Sequence, residues 1–240
     1  MVRIINKMIW IAFLSLLLLG VPVLSGRIAD LFSYRAVDPD GAFAWISVHH
    51  IVQALIFLAI MLMIKKLRAV DFGFSWGNKT RGRQYVIKFT LIFGMGSLVS
   101  YIISVISQAF ETFAYPLNAL NIVGYLSFQL LLSGPSEELI FRAFAITLFA
   151  WVLKGRIFGG KLSSANLVAA VIFGMAHMSF SLSPFSVSYN PYQVAMSFVL
   201  GCIYGDCYEK TGSMYYPMIL HSISNVIMVS FQIIATAVFS

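Results

Sequence analysis

Three charged side chains lie close together in the stretch GPSEELIFRAF, residues 134–144. Glu137, Glu138 and Arg142 have mostly apolar residues on either side. A charged residue at the centre of a membrane helix costs about 2.5–3.5 kcal/mol on insertion scales. We therefore expect these three side chains to pair with one another, to face a polar cavity, or both.

Helix spacing predicts that two of the three residues pair with each other and that the third does not. Glu138 and Arg142 are four positions apart, so they share a helix face and can form a salt bridge. Glu137 is rotated by about 100° from Glu138 and cannot share that arginine as easily. An ion pair that joins helices would explain Glu138 and Arg142, but it would leave Glu137 free for another role.

Two further apolar segments carry polar residues at helical spacing. Phe173 and His177 are four apart in FGMAH, and His221 and Asn225 are four apart in HSISN. Either histidine alone fits equally well as a hydrogen-bonded packing residue. Counting about 1.5 Å per residue from the predicted helix ends puts both histidines, Asn225 and Glu137 at a similar depth. Four such groups on three helices indicate a site.

These residue types permit a narrow range of chemistry. A carboxylate and two imidazoles around a water molecule can deprotonate it and direct it onto a carbonyl carbon. An asparagine amide or a second histidine can donate to the oxyanion that then forms. The combination predicts hydrolysis of an amide bond within the membrane, without a covalent intermediate.

The composition predicts the fold that must position these groups. Hydrophobic residues make up 60% of the 240-residue chain and charged residues 10%, against roughly 25% charged in a soluble domain. We predict an all-α, polytopic membrane bundle of about seven transmembrane helices around a central polar cavity, with residues 1–240 as one integral membrane domain. The predicted segments are 8–25, 44–64, 85–107, 119–153, 163–180, 192–208 and 214–238.

The basic residues predict an orientation rather than a nucleic-acid partner. Most of them stand at the ends of apolar runs, which is the pattern of membrane topology. If the N-terminus is cytoplasmic, twelve Lys and Arg residues fall on the inside and two, Arg27 and Arg35, on the outside. Seven spans then put the C-terminus outside.

Several local features have plainer interpretations. The fourth segment is too long for one straight span, so Gly134-Pro135 predicts a kink or a restart of the helix. His49 and His50 are expected at the outer end of the second helix, facing the membrane interface. Gly201 and Gly205 form a GxxxG pattern that predicts close helix packing.

The three motifs together resemble a known family. EExxxR, FxxxH and HxxxN, in this order on successive apolar segments, are similar to the CPBP (Abi) family, which includes the type II CAAX prenyl endopeptidases. The resemblance covers residues 119–230, and residues 1–118 would form N-terminal transmembrane helices. It implies an all-α intramembrane protease whose active-site cavity opens to the cytosol.

The resemblance also implies a role for each motif residue. Glu137 would activate water, His177 and His221 would position that water, and Asn225 with a histidine would bind the oxyanion. A structural and substrate-orienting role would fall to Glu138, Arg142 and Phe173. The implied partners are a peptide or prenylated-protein substrate and membrane lipid, with no nucleic acid.

Metal dependence is left open by the resemblance. Zinc could bind through His177, His221 and Glu137 with a water in the fourth position. Zinc-bound histidines usually have carboxylates behind them, and none stands beside either histidine in the sequence. We therefore expect no cofactor and no metal.

The same residues can be tested against the sequence signatures of other classes of membrane protein. HExxH of the zincins is absent, Ser136 lacks the glycine that follows it in GxSG, and Asp206 stands without the second aspartate of a presenilin-type enzyme. The alternative from a different class is a non-enzymatic membrane protein, either a transporter or a bacteriocin-immunity or scaffold partner. Intramembrane charges also mark ion pathways, although no inverted repeat is seen.

Overall fold

Long apolar runs form the helices of this protein, and short polar or glycine-containing segments connect them. The computed structural model describes residues 2–182 and 185–239, and within them the chain forms seven helices and two β-hairpins. The helices are α1 (Val2–Ala29), α2 (Ala44–Leu67), α3 (Lys79–Ile106), α4 (119–149), α5 (Ser164–Met175), α6 (Pro191–Thr211) and α7 (Tyr215–Phe239). The antiparallel hairpins pair β1 (Arg156–Ile157) with β2 (Leu162–Ser163) and β3 (Ser179–Leu182) with β4 (Phe185–Ser188).

The prediction of a mainly helical membrane protein is confirmed, but seven spans are not. Four of the described helices, α1, α2, α3 and α7, are long and apolar enough to cross a membrane. The fifth predicted segment, 163–180, is wrong as a continuous helix because α5 has 12 residues and ends at Met175. At about 1.5 Å per residue such a helix is shorter than a bilayer core of about 30 Å.

Of the kink or restart predicted at Gly134-Pro135, the restart does not occur, but the helix changes its form on either side of the proline. The helix begins at Ala119 and continues to Phe149 through alternating α-helical and wider, π-helical turns. The π-helical turns occupy Gln129–Ser133 and Leu139–Ile146, on either side of the proline. Wider turns accommodate the proline ring and the hydrogen bond that its nitrogen cannot make. The helix therefore carries Glu137 and Glu138 past the proline without ending.

Small residues let α4 and α5 approach their neighbours closely. A methyl group added at Gly134 would lie 2.9 Å from the Ser222 nitrogen of α7. One added at Gly205 of α6 would lie 2.0 Å from Asn166 Oδ1 of α5. The close packing predicted from the GxxxG pattern is thereby confirmed. These contacts bring α4, α5 and α6 around α7, where the polar residues meet.

The start of α2 is fixed by a buried aspartate. The Asp38 carboxylate accepts hydrogen bonds from the backbone nitrogens of Ala42, Phe43 and Ala44, at 2.8, 2.8 and 2.7 Å. Burial alone would raise the pKa of the Asp38 carboxyl, but these N–H groups hold that pKa below its ordinary value. These hydrogen bonds fix the first turn of α2, the helix that also carries His50.

Candidate active site

Glu138 forms a buried ion pair with Arg142 within α4 and a hydrogen bond with His221 of α7. Its side chain is fully buried, and its Oε2 lies 2.8 Å from Arg142 Nε, which confirms the predicted salt bridge. Its Oε1 lies 2.8 Å from His221 Nδ1. Because a carboxylate paired with arginine only accepts hydrogen bonds, His221 donates from Nδ1. A neutral His221 then presents Nε2 as an acceptor to the opposite side of the ring.

Phe173, the phenylalanine of the FxxxH motif, packs against the guanidinium group of Arg142. The arginine side chain is fully buried, and its guanidinium carbon lies 4.6 Å from the centre of the Phe173 ring and 5.6 Å from that of Tyr204. Aromatic faces attract a guanidinium group, more strongly where water is excluded. Phe173 and Tyr204 therefore stabilise the charge that Glu138 balances.

Tyr204 also holds His221, a role that the sequence did not reveal. The two rings stack with their centres 5.1 Å apart, and the Tyr204 hydroxyl is hydrogen-bonded to Ser224 Oγ at 2.7 Å. Ser224 in turn donates to the His221 carbonyl. His221 is thus fixed at its Nδ1 by Glu138 and on its face by Tyr204. A tyrosine within an apolar helix gives no sequence signal of this role.

Glu137 has no tight partner, as its helix position predicted. Its Oε1 lies 3.9 Å from His50 Nε2, and its Oε2 lies 3.8 Å from His221 Nε2. Both distances exceed the hydrogen-bond range but can be spanned by one bridging molecule. The side chain is 16% exposed, and its Oε2 makes no hydrogen bond to any described residue. Glu137 is therefore a carboxylate between two imidazoles.

The place of His50 corrects the sequence interpretation. It was expected to face the membrane interface, but it is buried against α4, with Nδ1 2.7 Å from Ser136 Oγ. Residue counting gave the wrong environment because it estimates depth along α2 and says nothing of which helix packs there. An ionisable group within an apolar helix was the available signal. Its neighbour His49 stacks instead on Trp45, with ring centres 5.3 Å apart.

His177, His221 and Asn225 line one cavity of about 290 Å³. His177 lies just beyond α5, with Nδ1 2.8 Å from the Phe173 carbonyl oxygen, and its ring meets the Phe173 ring edge-on at 4.9 Å. Asn225 Nδ2 donates to Ser133 Oγ at 3.0 Å. Glu137 is not among the lining residues of this cavity and adjoins it through His221.

The cavity reaches one end of the bundle. Its lining continues to Glu111, Asn190 and Gln232, beside the α3–α4 connection, the β3–β4 hairpin and the last turns of α7. The basic residues gather at the other end. A cytoplasmic N-terminus and a cavity open to the cytosol, both expected from the sequence, are thus incompatible if each helix crosses the membrane.

The described residues do not form an evident metal centre. Among residues 2–182 and 185–239, no three His, Cys, Asp or Glu side chains lie in an arrangement that could hold a metal ion. His221 Nδ1 is engaged by Glu138 and His177 Nδ1 by the Phe173 carbonyl, so Nε2 is the ring nitrogen left free on each histidine. The expectation of no metal stays a prediction.

Comparison with known proteins agrees with the motifs. A family model described as type II CAAX prenyl endopeptidase Rce1-like matches residues 119–227, a range that includes all three motifs. Searches among curated proteins and among solved structures gave no match. The domain at residues 119–227, which carries EExxxR, FxxxH and HxxxN, therefore belongs to the Rce1-like, CPBP/CAAX family of membrane proteases.

Proposed function

We propose that this protein is an intramembrane endopeptidase in which Glu137 activates a water molecule that attacks a peptide carbonyl. The observation that carries the proposal is the pair of acceptors, Glu137 Oε2 and His221 Nε2, 3.8 Å apart. A water molecule between them would donate one hydrogen to each and keep a lone pair free for attack. Glu137 would then take the proton as general base.

The hydrogen bonds of His177 and His221 indicate which residues position the water and which binds the oxyanion. His177 donates from Nδ1 to the Phe173 carbonyl oxygen, so the neutral ring presents Nε2 as an acceptor, as His221 does. Two acceptors suit the positioning of water but not the stabilisation of an oxyanion. Asn225 keeps one N–H after its bond to Ser133, and we assign that N–H to the oxyanion.

An apolar groove beside the cavity suits a lipidated substrate. The groove has a volume of about 590 Å³ and runs between α3, α6 and α7. It shares several lining residues with the cavity, among them Phe93, Met196 and Leu200. A prenyl chain in the groove would place the adjoining peptide in the cavity. We therefore propose a prenylated CaaX protein as substrate, with an unmodified peptide precursor as the alternative.

Cleavage of a farnesylated CaaX peptide by the protein in liposomes tests this proposal. We expect cleavage of the farnesylated peptide, much slower cleavage of the same peptide without the lipid, and no effect of a metal chelator. Equal cleavage of both peptides would favour the unmodified precursor. Loss of cleavage with chelator would contradict the metal-free mechanism, and no cleavage of either peptide would overturn the proposal.

The charge distribution predicts the side from which substrate enters. Twelve basic residues at the end opposite the cavity mouth favour that end as cytoplasmic, so we expect the mouth to face away from the cytoplasm. The test places a single cysteine at Tyr189 near the mouth or at Lys154 at the opposite end, both exposed, after Cys202 and Cys207 are replaced by alanine.

A membrane-impermeant maleimide should label intact cells through Tyr189→Cys and should need permeabilised cells for Lys154→Cys. The reverse pattern would put the mouth in the cytosol and contradict the orientation. It would leave the chemistry of the site untouched.

A further inference from the structure

We infer that His50 is a positioning residue for the catalytic carboxylate, holding Glu137 from the side opposite His221. The two imidazoles face different oxygens of the same carboxylate, His50 at Oε1 and His221 at Oε2. The inference rests on the proposed function, since it assigns His50 a part in the same reaction. His50 lies on α2, outside the residues matched by the family model.

The hydrogen bonds of His50 decide which ring nitrogen carries the proton. Nδ1 lies 2.7 Å from Ser136 Oγ and 3.2 Å from Gln53 Nε2. The Gln53 amide nitrogen only donates, so Nδ1 acts as its acceptor. The Ser136 hydroxyl hydrogen has two acceptors within reach, Nδ1 at 2.7 Å and the Ser133 carbonyl oxygen at 3.1 Å, and the unprotonated Nδ1 takes it as the nearer one. The neutral ring then carries its hydrogen on Nε2, the atom that faces Glu137.

The two histidines therefore act on Glu137 in opposite ways. His50 presents an N–H towards Oε1 across 3.9 Å, whereas His221 presents an acceptor beside Oε2. One water molecule between His50 Nε2 and Oε1 would accept from the N–H and donate to Oε1, which aims the carboxylate and leaves Oε2 as the oxygen that takes the proton from the attacking water. The asymmetry arises because Gln53 and Ser136 lie behind one ring and Glu138 behind the other.

The surroundings of His50 keep this geometry rigid. His50, Gln53 and Ser136 are all buried, and the His50 ring packs edge-on against Phe128 with ring centres 5.0 Å apart. None of these four side chains lines the described cavity of His177 and Asn225, so bound substrate would not touch them. Loss of His50 should therefore slow the chemical step rather than weaken substrate binding.

The contact between His50 and Ser136 could also serve a different mechanism, in which Ser136 is the nucleophile. A serine hydroxyl hydrogen-bonded to a histidine is also the geometry of an activated nucleophile. Ser136 is buried, however, and its hydroxyl lies between His50 Nδ1 and the Ser133 carbonyl oxygen, 3.1 Å away, both of which are acceptors for its hydrogen. We assign Ser136 to the support of His50.

Two polar replacements of His50 test the inference in the peptide-cleavage assay. His50→Gln places an amide nitrogen near the position of Nε2, whereas the shorter side chain of His50→Asn reaches only the position of Nδ1. We expect His50→Asn to lower kcat by about 100-fold and His50→Gln by less than about tenfold, with KM within about threefold in both. His49→Asn, next to it on α2, should leave kcat unchanged.

The outcomes distinguish this inference from the proposed function. If the wild type cleaves and Glu137→Gln does not, but His50→Asn retains full kcat, the inference fails and the proposed function stands. Equal loss in His50→Gln and His50→Asn would also overturn it, since a donor at the Nε2 position would then not matter. Ser136→Ala should cost less than about tenfold, and complete loss would instead identify Ser136 as a nucleophile.

Discussion

Glu137→Gln is expected to lower kcat for peptide cleavage by about 1,000-fold or more while the protein remains folded. Glutamine keeps the size and polarity of the side chain but cannot accept a proton at neutral pH. General-base catalysis contributes about 10²–10⁴-fold, and the same carboxylate also positions the water. Little stability depends on Glu137 because its nearest ionisable partners, the His221 and His50 rings, are 3.8 Å and 3.9 Å away.

The matched control for this variant is Glu138→Gln, one position along the same helix. Glu138 binds both Arg142 and His221 at 2.8 Å, so this change leaves a buried guanidinium without its counter-charge. We expect its thermal unfolding midpoint in detergent to fall, whereas that of Glu137→Gln should match the wild type. An active Glu137→Gln protein would contradict the mechanism, and an unfolded one would make Glu137 structural.

The features predicted correctly from the sequence depend on spacing within one helix. The Glu138–Arg142 pair follows from the four-residue repeat, and it survives although Arg142 lies in π-helical turns. The isolation of Glu137 follows from the same geometry. The three motifs indicated which helices meet, because each carried a polar residue that an apolar environment must accommodate.

The features that were missed depend on contacts between helices. His50 and Tyr204 join the site through α4 and α7, and nothing in the sequence of α2 or α6 gives those neighbours. Pro135 was expected to kink or restart α4, but the helix continues past it through wider turns. Helix α5 ends early because the chain turns into a hairpin. Local rules cannot anticipate which of two permitted backbone solutions the surrounding packing selects.

Removal of one partner of the Glu138–Arg142 pair is expected to cost more stability than removal of both. Arg142→Met leaves Glu138 charged and fully buried, and breaking a buried pair in this way costs about 3–5 kcal/mol. Replacing Glu138 by leucine as well removes the unpaired charge, so the double variant should recover much of that loss. Lys210→Met breaks an exposed pair of the same spacing, with Asp206, and should cost less than about 1 kcal/mol.

Stability and activity should separate in the double variant. Its stability should recover, but His221 loses the carboxylate that fixes its Nδ1 proton, so cleavage should stay well below the wild-type rate. Thermal unfolding in detergent and peptide cleavage measured on the same preparations provide both quantities. If the double variant is less stable than either single variant, the unpaired buried charge is not the cause of the single-variant losses and the prediction is wrong. If it cleaves peptide at the wild-type rate, the orientation of His221 by Glu138 is not required for catalysis.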